Sequence, residues 1–318
     1  MKTLKRFKTT RLEYLTVKQL RDDCSERLGL TLLNEDADLE RKTDEPSINR
    51  PGLALANFFE YFPDNRIQVL GQTEISYMNS NLCLKEFEEI CTRATPCIIV
   101  CRDLFFQQVH LDVAIRYGIP VFKSSLVTIK MINQVTHYLE KQFSERISLH
   151  GCLVEIHGIG VLITGESGSG KSEAAIGLIE KGGSLVADDN VITSVNDDVL
   201  VGRSKPDYVG FMEVRGVGIM NIVNLYGSRA FVPESKIDLI VTLKPYEDLN
   251  VVDRLGINRK TSEVLGIEIP TLEIPVAPGR DTSRLVDVAA MDFQLRSLGV
   301  DMSKQFQETL HKKLKALD

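Results

Sequence analysis

Gly165-Glu166-Ser167-Gly168-Ser169-Gly170-Lys171-Ser172 satisfies the pattern G-x-x-x-x-G-K-[ST] in full, and it restricts the fold more than any other feature of the chain. A loop of this kind needs a strand to enter it and a helix to leave it. Residues 161–164, Val-Leu-Ile-Thr, read as the strand; residues 173–181 read as the helix, closed by Gly182-Gly183. The glycines let the backbone bend so that successive N–H groups point at phosphate oxygens, and the helix N-terminus adds its positive dipole end. Lys171 then reaches the β- and γ-phosphates, and the Ser172 hydroxyl is placed as a Mg²⁺ ligand. The motif predicts a site for a nucleoside triphosphate with Mg²⁺, used for phosphoryl transfer.

A chain of 318 residues exceeds one average core, so two domains are expected, divided near residue 130: 1–130 and 131–318. With 43% hydrophobic and 26% charged residues the composition is that of a soluble globular protein. A net charge of −6 leaves no whole-chain footprint for nucleic acid or an anionic membrane. Lys2, Lys5, Arg6, Lys8 and Arg11 read as a solvated basic arm. No apolar run is long enough to span a bilayer, and the N-terminus lacks the apolar core of a secretory signal, so a cytoplasmic protein is expected. Cys24, Cys83, Cys91, Cys97, Cys101 and Cys152 form no C-x-x-C pair and read as reduced, buried small hydrophobes.

Thr16 with Gln19 forms a capping box and Leu15 with Leu20 a hydrophobic staple; Leu20, Cys24 and Leu28 make one stripe of a helix that Gly29 ends. After a polar loop over 34–49, strands at 67–70, 97–101 and 119–122 alternate with a helix carrying Leu84, Phe87 and Cys91 and another ending at Tyr117-Gly118. That βαβαβ order predicts a small parallel sheet. A helix over 125–143 is expected to turn Ile129, Ile132, Val135 and Leu139 inward. Residues 152–156 and 159–164 read as a hairpin through His157-Gly158, leading into the phosphate loop. Two helices close the chain, one over 284–298 ending at Gly299 and one over about 303–317 with Phe306, Leu310 and Leu314 on one face.

Leu185-Val-Ala-Asp188-Asp189 reads as a short strand ending in two carboxylates. Adjacent side chains on a strand point to opposite faces, so one of the two should face the nucleotide, as a general base or a metal ligand; a turn-forming acidic pair is the other reading. In Glu213-Val-Arg215-Gly216-Val-Gly218, a glutamate and an arginine beside glycines suit a backbone that approaches phosphate closely, with Glu213 on Mg²⁺. A surface loop satisfies the same residues. Arg254 and Arg280 are candidate phosphate clamps, and His150 and His157 read in isolation as turn histidines.

In combination and in this order, these motifs resemble the HPr kinase/phosphorylase family. The likeness covers most of the chain: residues 49–53, 58–62 and 66–71 in the first half, and 150–151, 165–173, 185–189, 213–218, 253–256 and 274–280 in the second. The resemblance implies ATP- and Mg²⁺-dependent phosphorylation of a serine on the phosphocarrier protein HPr. It also implies the reverse attack of inorganic phosphate on phosphoseryl-HPr, giving pyrophosphate, in the control of carbon metabolism. Carried over by position, His150, Lys171, Asp189 and Arg254 match the active-site residues, while Ser172 and Glu213 match the Mg²⁺ ligands. Residues 213–222 match the signature used in both directions. Pro275, Val276, Ala277, Pro278, Gly279 and Arg280 match the loop tied to dephosphorylation. The implied fold is an N-terminal α/β domain plus a P-loop catalytic domain similar to phosphoenolpyruvate carboxykinase, assembled as a homohexamer. The chain departs from the commoner pattern at Ser169, Asn57, Ala277 and Pro278.

A metabolite kinase with a small-molecule acceptor would carry the same phosphate loop, and the acceptor assay separates it from a protein kinase. A nucleotide-gated regulatory protein is a second alternative. Asp189 with His150 and Arg254 speaks against it, because a switch has no use for a base toward an acceptor hydroxyl. A transport ATPase would need an LSGGQ-like signature, and none is present.

Overall fold

The computed structural model describes residues 9–245, 260–277 and 279–315, with side chains through 308. The basic arm through Lys8, Arg254, Pro278 and the side chains of Leu310 and Leu314 lie outside them. The chain forms two compact units, 11–144 and a second made of 145–318 with the first ten residues. Thr10 joins the second unit through paired backbone bonds with Arg146, each 2.8 Å.

The first unit is an α/β layer. Its five-stranded sheet runs Thr31–Leu32, Val121–Lys123, Ile98–Val100, Ile67–Leu70, Ile48–Asn49, all parallel except the first pair. Period-two alternation decides what each strand buries. Ile67, Val69, Cys97, Ile99 and Cys101 face the helices Val17–Leu28 and Thr128–Phe143, whereas Leu70, Ile98 and Val100 face Gln72–Asn81, Leu84–Thr92 and Gln108–Arg116. The first helix begins and ends where its signals place it: Thr16 and Gln19 bond reciprocally, and Gly29 caps at φ 58°. Leu84, expected on a buried stripe, is in the first turn of its helix and exposed; Phe87, Ile90 and Cys91 form the stripe instead.

Two expectations are corrected in the helix Thr128–Phe143. It buries Met131, Val135, Tyr138, Leu139 and Phe143 and leaves Ile129 exposed, because residue 129 lies nearly half a turn round from 131. The boundary expected near residue 130 falls inside this helix. Its buried face belongs to the first unit's core, so the chain divides after Ser144.

The second unit has three layers. A six-stranded sheet runs Ser184–Ala187, Cys152–Ile156, Ile159–Gly165, Leu239–Pro245, Ile267–Val276, Lys260–Val264. The helices Lys171–Glu180 and Thr282–Ser297 cover one face, burying Val161, Ile163, Ala174, Leu178, Val241 and Val286. An antiparallel four-stranded sheet, Glu234–Lys236, Val199–Arg203, Asn190–Asn196, Arg146–His150, covers the other through Leu153, Leu162, Ile240, Val191 and Leu200. His157 at φ 55° and Gly158 at φ 75° make the two-residue turn of the expected hairpin. Gly299, at φ 87°, follows the end of the helix Thr282–Ser297. The last helix is Met302–Lys315, with Phe306 exposed. All six cysteines are buried and unpaired.

Gly177 fixes the distance between the two helices over the six-stranded sheet. A Cβ there would lie 2.5 Å from Cβ and Oγ of Ser283. We therefore predict that Gly177→Ala destabilises by about 1–3 kcal/mol, against the roughly 1 kcal/mol that helix propensity alone would favour. Thermal unfolding checks this, and Ser283→Gly in the same chain should recover most of the loss. A simple gain in stability for Gly177→Ala would contradict the packing.

Candidate active site

The phosphate loop leaves the strand Ile159–Gly165 at the middle of the sheet and enters the helix at Lys171. Gly168 and Gly170 take φ 84° and 85°, a region that side-chain-bearing residues reach only at a cost. Lys171 is buried to 9% exposure, and its ammonium donates to the carbonyls of Gly165 (3.2 Å) and Glu166 (2.9 Å). Among the described residues it makes no ion pair, so its charge is left for the loop itself.

At the other side of Lys171 the Ser172 hydroxyl donates to Asp188, with Oδ1 at 3.3 Å and Oδ2 at 3.5 Å. The same carboxylate accepts the backbone N–H of Glu213 at 3.1 Å. Burial pushes the Asp188 carboxyl above its usual range, partly offset by the donors from Glu213, Cys152, Asp189 and Ser172. Asp189, beyond the end of the strand Ser184–Ala187, turns its side chain to His150 instead. Its φ is 59°, its side chain is 76% exposed, and His150 Nδ1 lies 3.0 Å from both its Oδ1 and its backbone oxygen. The two acids thus divide: Asp188 toward the serine of the phosphate loop, Asp189 toward His150 at the end of the strand Arg146–His150.

Glu213 and Arg215 sit on a hairpin, Phe211–Val214 with Gly218–Asn221, rather than in an irregular surface loop. Alternation buries Met212 and Val214 and leaves the Glu213 side chain exposed. Gly216 (φ 82°) and Gly218 (φ 109°) shape the turn. From its start, Arg215 Nη2 donates to Ser167 Oγ at 2.8 Å, and its Nη1 occupies the space a Cβ on Gly168 would need.

Val276, Ala277 and Arg280 line a cavity of about 530 Å³ that they share with Gly168, Ser169, Gly170, Glu173 and Ala174 of the phosphate loop and its helix. Pro275 pairs with Lys244 on the strand leading in, and Gly279 takes φ 80°. Asp281 beyond the loop caps the helix Thr282–Ser297 by accepting the Arg284 N–H at 3.0 Å. His157 is a turn residue whose Nε2 meets Asp287 at 2.8 Å, away from the loop.

Of the sequence candidates, the structure brings together Gly165 to Ser172, Asp188 and Glu213, joins His150 to Asp189, and sets Val276, Ala277 and Arg280 beside the phosphate loop. Arg254 lies outside the described residues. The Ser172–Asp188 and Ser167–Arg215 contacts were not among the sequence expectations. Among the described residues no group of three or more His, Cys, Asp or Glu side chains is arranged to hold a metal ion by itself. The converging hydroxyl and carboxylate oxygens are nevertheless the donors that Mg²⁺ takes alongside phosphate and water.

Residues 141–310 match the HPr Serine kinase C-terminal domain family, and residues 15–139 match the HPr Serine kinase N terminus family. A protein named HPr kinase/phosphorylase from Listeria monocytogenes serotype 4a is 38% identical over 301 residues, covering 93% of this chain and 95% of its own. Another of that name, from Halalkalibacterium halodurans, is 40% identical over 294 residues, covering 91% and 95%. A solved structure, that of the Hpr(Ser) kinase/phosphatase from Coxiella burnetii, is 31% identical with a TM-score of 0.47, covering 51% of this chain and 98% of that one. No helix among the described residues is long and apolar enough to cross a membrane. With both family domains matched in order and relatives at this identity along nearly their whole length, the chain belongs to the HPr serine kinase family.

Proposed function

We propose that this chain transfers the γ-phosphoryl group of ATP to a serine of HPr, and that it catalyses phosphorolysis of phosphoseryl-HPr by inorganic phosphate. The observation that carries the reading is the convergence of Lys171, Ser172, Asp188 and the Glu213 amide on one side of the phosphate loop, with the Asp189–His150 pair on the next turn of chain. In the kinase direction the seryl oxygen attacks the γ-phosphorus, the bond to the β–γ bridging oxygen breaks, and Asp189 takes the seryl proton. In reverse a phosphate oxygen attacks the phosphoseryl phosphorus, Asp189 returns the proton to the leaving seryl oxygen, and pyrophosphate is released. His150 holds Asp189 in orientation.

Ser172, Asp188 and Glu213 are the residues that would hold Mg²⁺. When bound, it neutralises charge on the phosphate oxygens. Arg254 is assigned as a clamp on the phosphates through the resemblance alone. Pro275, Val276, Ala277, Pro278, Gly279 and Arg280 are assigned to the dephosphorylating direction. A catalytic domain similar to phosphoenolpyruvate carboxykinase fits the strand–loop–helix with its adjacent acids, and we infer a homohexamer. Sedimentation as a monomer at micromolar concentration would count against that assembly.

The deciding assay gives the purified chain HPr with ATP and Mg²⁺, then phosphoseryl-HPr with inorganic phosphate. Phosphoserine in the first and pyrophosphate in the second are expected. HPr left unmodified would return the site to a small-molecule kinase.

A further inference from the structure

We propose that the first unit carries a binding site of its own, at the carboxyl edge of its parallel strands, for a small molecule bearing a phosphate group. The site lies wholly within residues 11–144, shares no residue with the phosphate loop, and does not rest on the transfer reaction proposed above.

In an open α/β sheet, ligands bind in the crevice outside the carboxyl ends of the strands. Here two helices start at that edge, one on each face. Gln72–Asn81 leaves the strand Ile67–Leu70 on one side, and Thr128–Phe143 starts after Val121–Lys123 on the other. Their beginnings nearly touch: a Cβ on Gly71 would lie 2.5 Å from Thr128 Oγ1. Each helix brings first-turn amides that have no acceptor of their own, and the positive end of its dipole.

Cations gather at the same edge. Arg50, which follows the strand Ile48–Asn49, donates from Nη2 to both oxygens of Glu74 at 2.9 Å. Glu74 is only 4% exposed and also accepts the Gly71 amide at 2.9 Å, so a buried carboxylate holds this guanidinium beside the start of Gln72–Asn81. Arg102 comes two residues after the strand Ile98–Val100, at φ 63°. Its amide donates to the Leu126 carbonyl at 2.9 Å, in the segment that leads to Thr128. Lys123 ends the neighbouring strand, in register with Val100. The Cys101 thiol reports the convergence from inside. Burial pushes it up to about 11, while a bond with Thr128 and the charges of Arg102 and Arg50 pull the other way.

A bracing role does not account for all three. Pinning the turn over 50–55 explains Arg50 and Glu74. Among the described residues, however, neither Arg102 nor Lys123 makes an ion pair, although Asp103 stands exposed beside Arg102. In a chain of net charge −6, two such cations between two helix N-termini select an anion. A planar guanidinium fork, an ammonium and helix amides match the several oxygens of one phosphate group, which accepts from all of them at once.

The test is amide hydrogen exchange on the full-length chain, with and without millimolar inorganic phosphate or glycerol phosphate. Both probes are expected to slow exchange at residues 72–74 and 128–130, in the unaltered chain and equally in Lys171→Ala, whose phosphate loop is disabled. Potassium chloride at the same ionic strength should do nothing there. Arg102→Ala and Lys123→Ala should each weaken the affinity read at these amides by about tenfold or more, as for loss of a charge-assisted hydrogen bond. The proposal falls if the protection disappears in Lys171→Ala, if the chain with both alanines keeps it, or if chloride matches it. Malonate protecting as well as phosphate, or glycerol phosphate failing where phosphate succeeds, would overturn the class of ligand. Exchange in the buried strand 98–100 shows whether the first unit remains folded. Should either alanine unfold it, Arg102→Gln and Lys123→Gln decide, and unchanged affinity in both refutes the site.

Discussion

Lys171→Ala is expected to abolish both transfer to HPr and phosphorolysis, at a cost on the order of 10³-fold or more, as for loss of a preorganised electrostatic contact. The ammonium is buried and held by the Gly165 and Glu166 carbonyls, so its position is set by the loop before any phosphate arrives. Preorganisation of this kind costs nothing at the moment of reaction, and its removal falls on the transition state. Single-turnover rates at saturating ATP separate this from weaker binding, and Lys171→Met keeps the apolar stem as a control for packing. Near-normal turnover by either variant would remove the loop from the chemistry.

The second large effect distinguishes neighbouring acids. Asp189→Asn should lose both activities while still binding ATP, because the amide keeps the shape and cannot take the seryl proton. Asp188→Asn should retain more activity and lose its response to Mg²⁺, since this carboxylate faces Ser172. The two should also part in stability. Burial raises the Asp188 carboxyl's pKa, so folding favours its protonated form, and its charge opposes folding above the folded pKa. That opposition fades as pH falls through the folded pKa. Asp188→Asn should accordingly raise Tm at neutral pH and progressively less in acid. An Asp189→Asn enzyme that phosphorylates HPr at a comparable rate would take Asp189 out of the proton-transfer role.

Local signals were legible. The Thr16–Gln19 box, the His157-Gly158 turn and the phosphate loop each occupy a few consecutive residues whose backbone chemistry admits one conformation. The 128–143 helix misled at Ile129 because apolar residues occur on more than one side of it, and only the sheet beneath decides which side is buried. The Ser172–Asp188 contact was illegible for a different reason. The strand Ser184–Ala187 is separated from the phosphate-loop strand by Cys152–Ile156, a sheet order that residue spacing does not reveal. A bulge between Leu185 and Ala187 then resets the alternation, so counting along the strand cannot say which acid faces the loop. Arg215 stood in a stretch that a backbone approaching phosphate and a surface loop satisfied alike; its signal was the pair of glycines that shape the hairpin turn.

The chain crosses between the two sheets of the second unit twice at one place. It passes from His150 through Gly151 to Cys152, and from Ala187 through Asp188 and Asp189 to Asn190, and the Gly151 amide bonds the Asp189 carbonyl at 3.2 Å across the gap. His150 and Asn190 are paired in the four-stranded sheet, whereas the phosphate loop hangs from the six-stranded one. Mechanically, this makes the proposed base and the phosphate cradle cargo of different plates. A slide of one sheet over the other would carry His150 and Asp189 together and leave their mutual geometry intact. It would change how far the proposed base stands from the phosphate loop, against the Ser172–Asp188 contact that ties the two sheets together next to it.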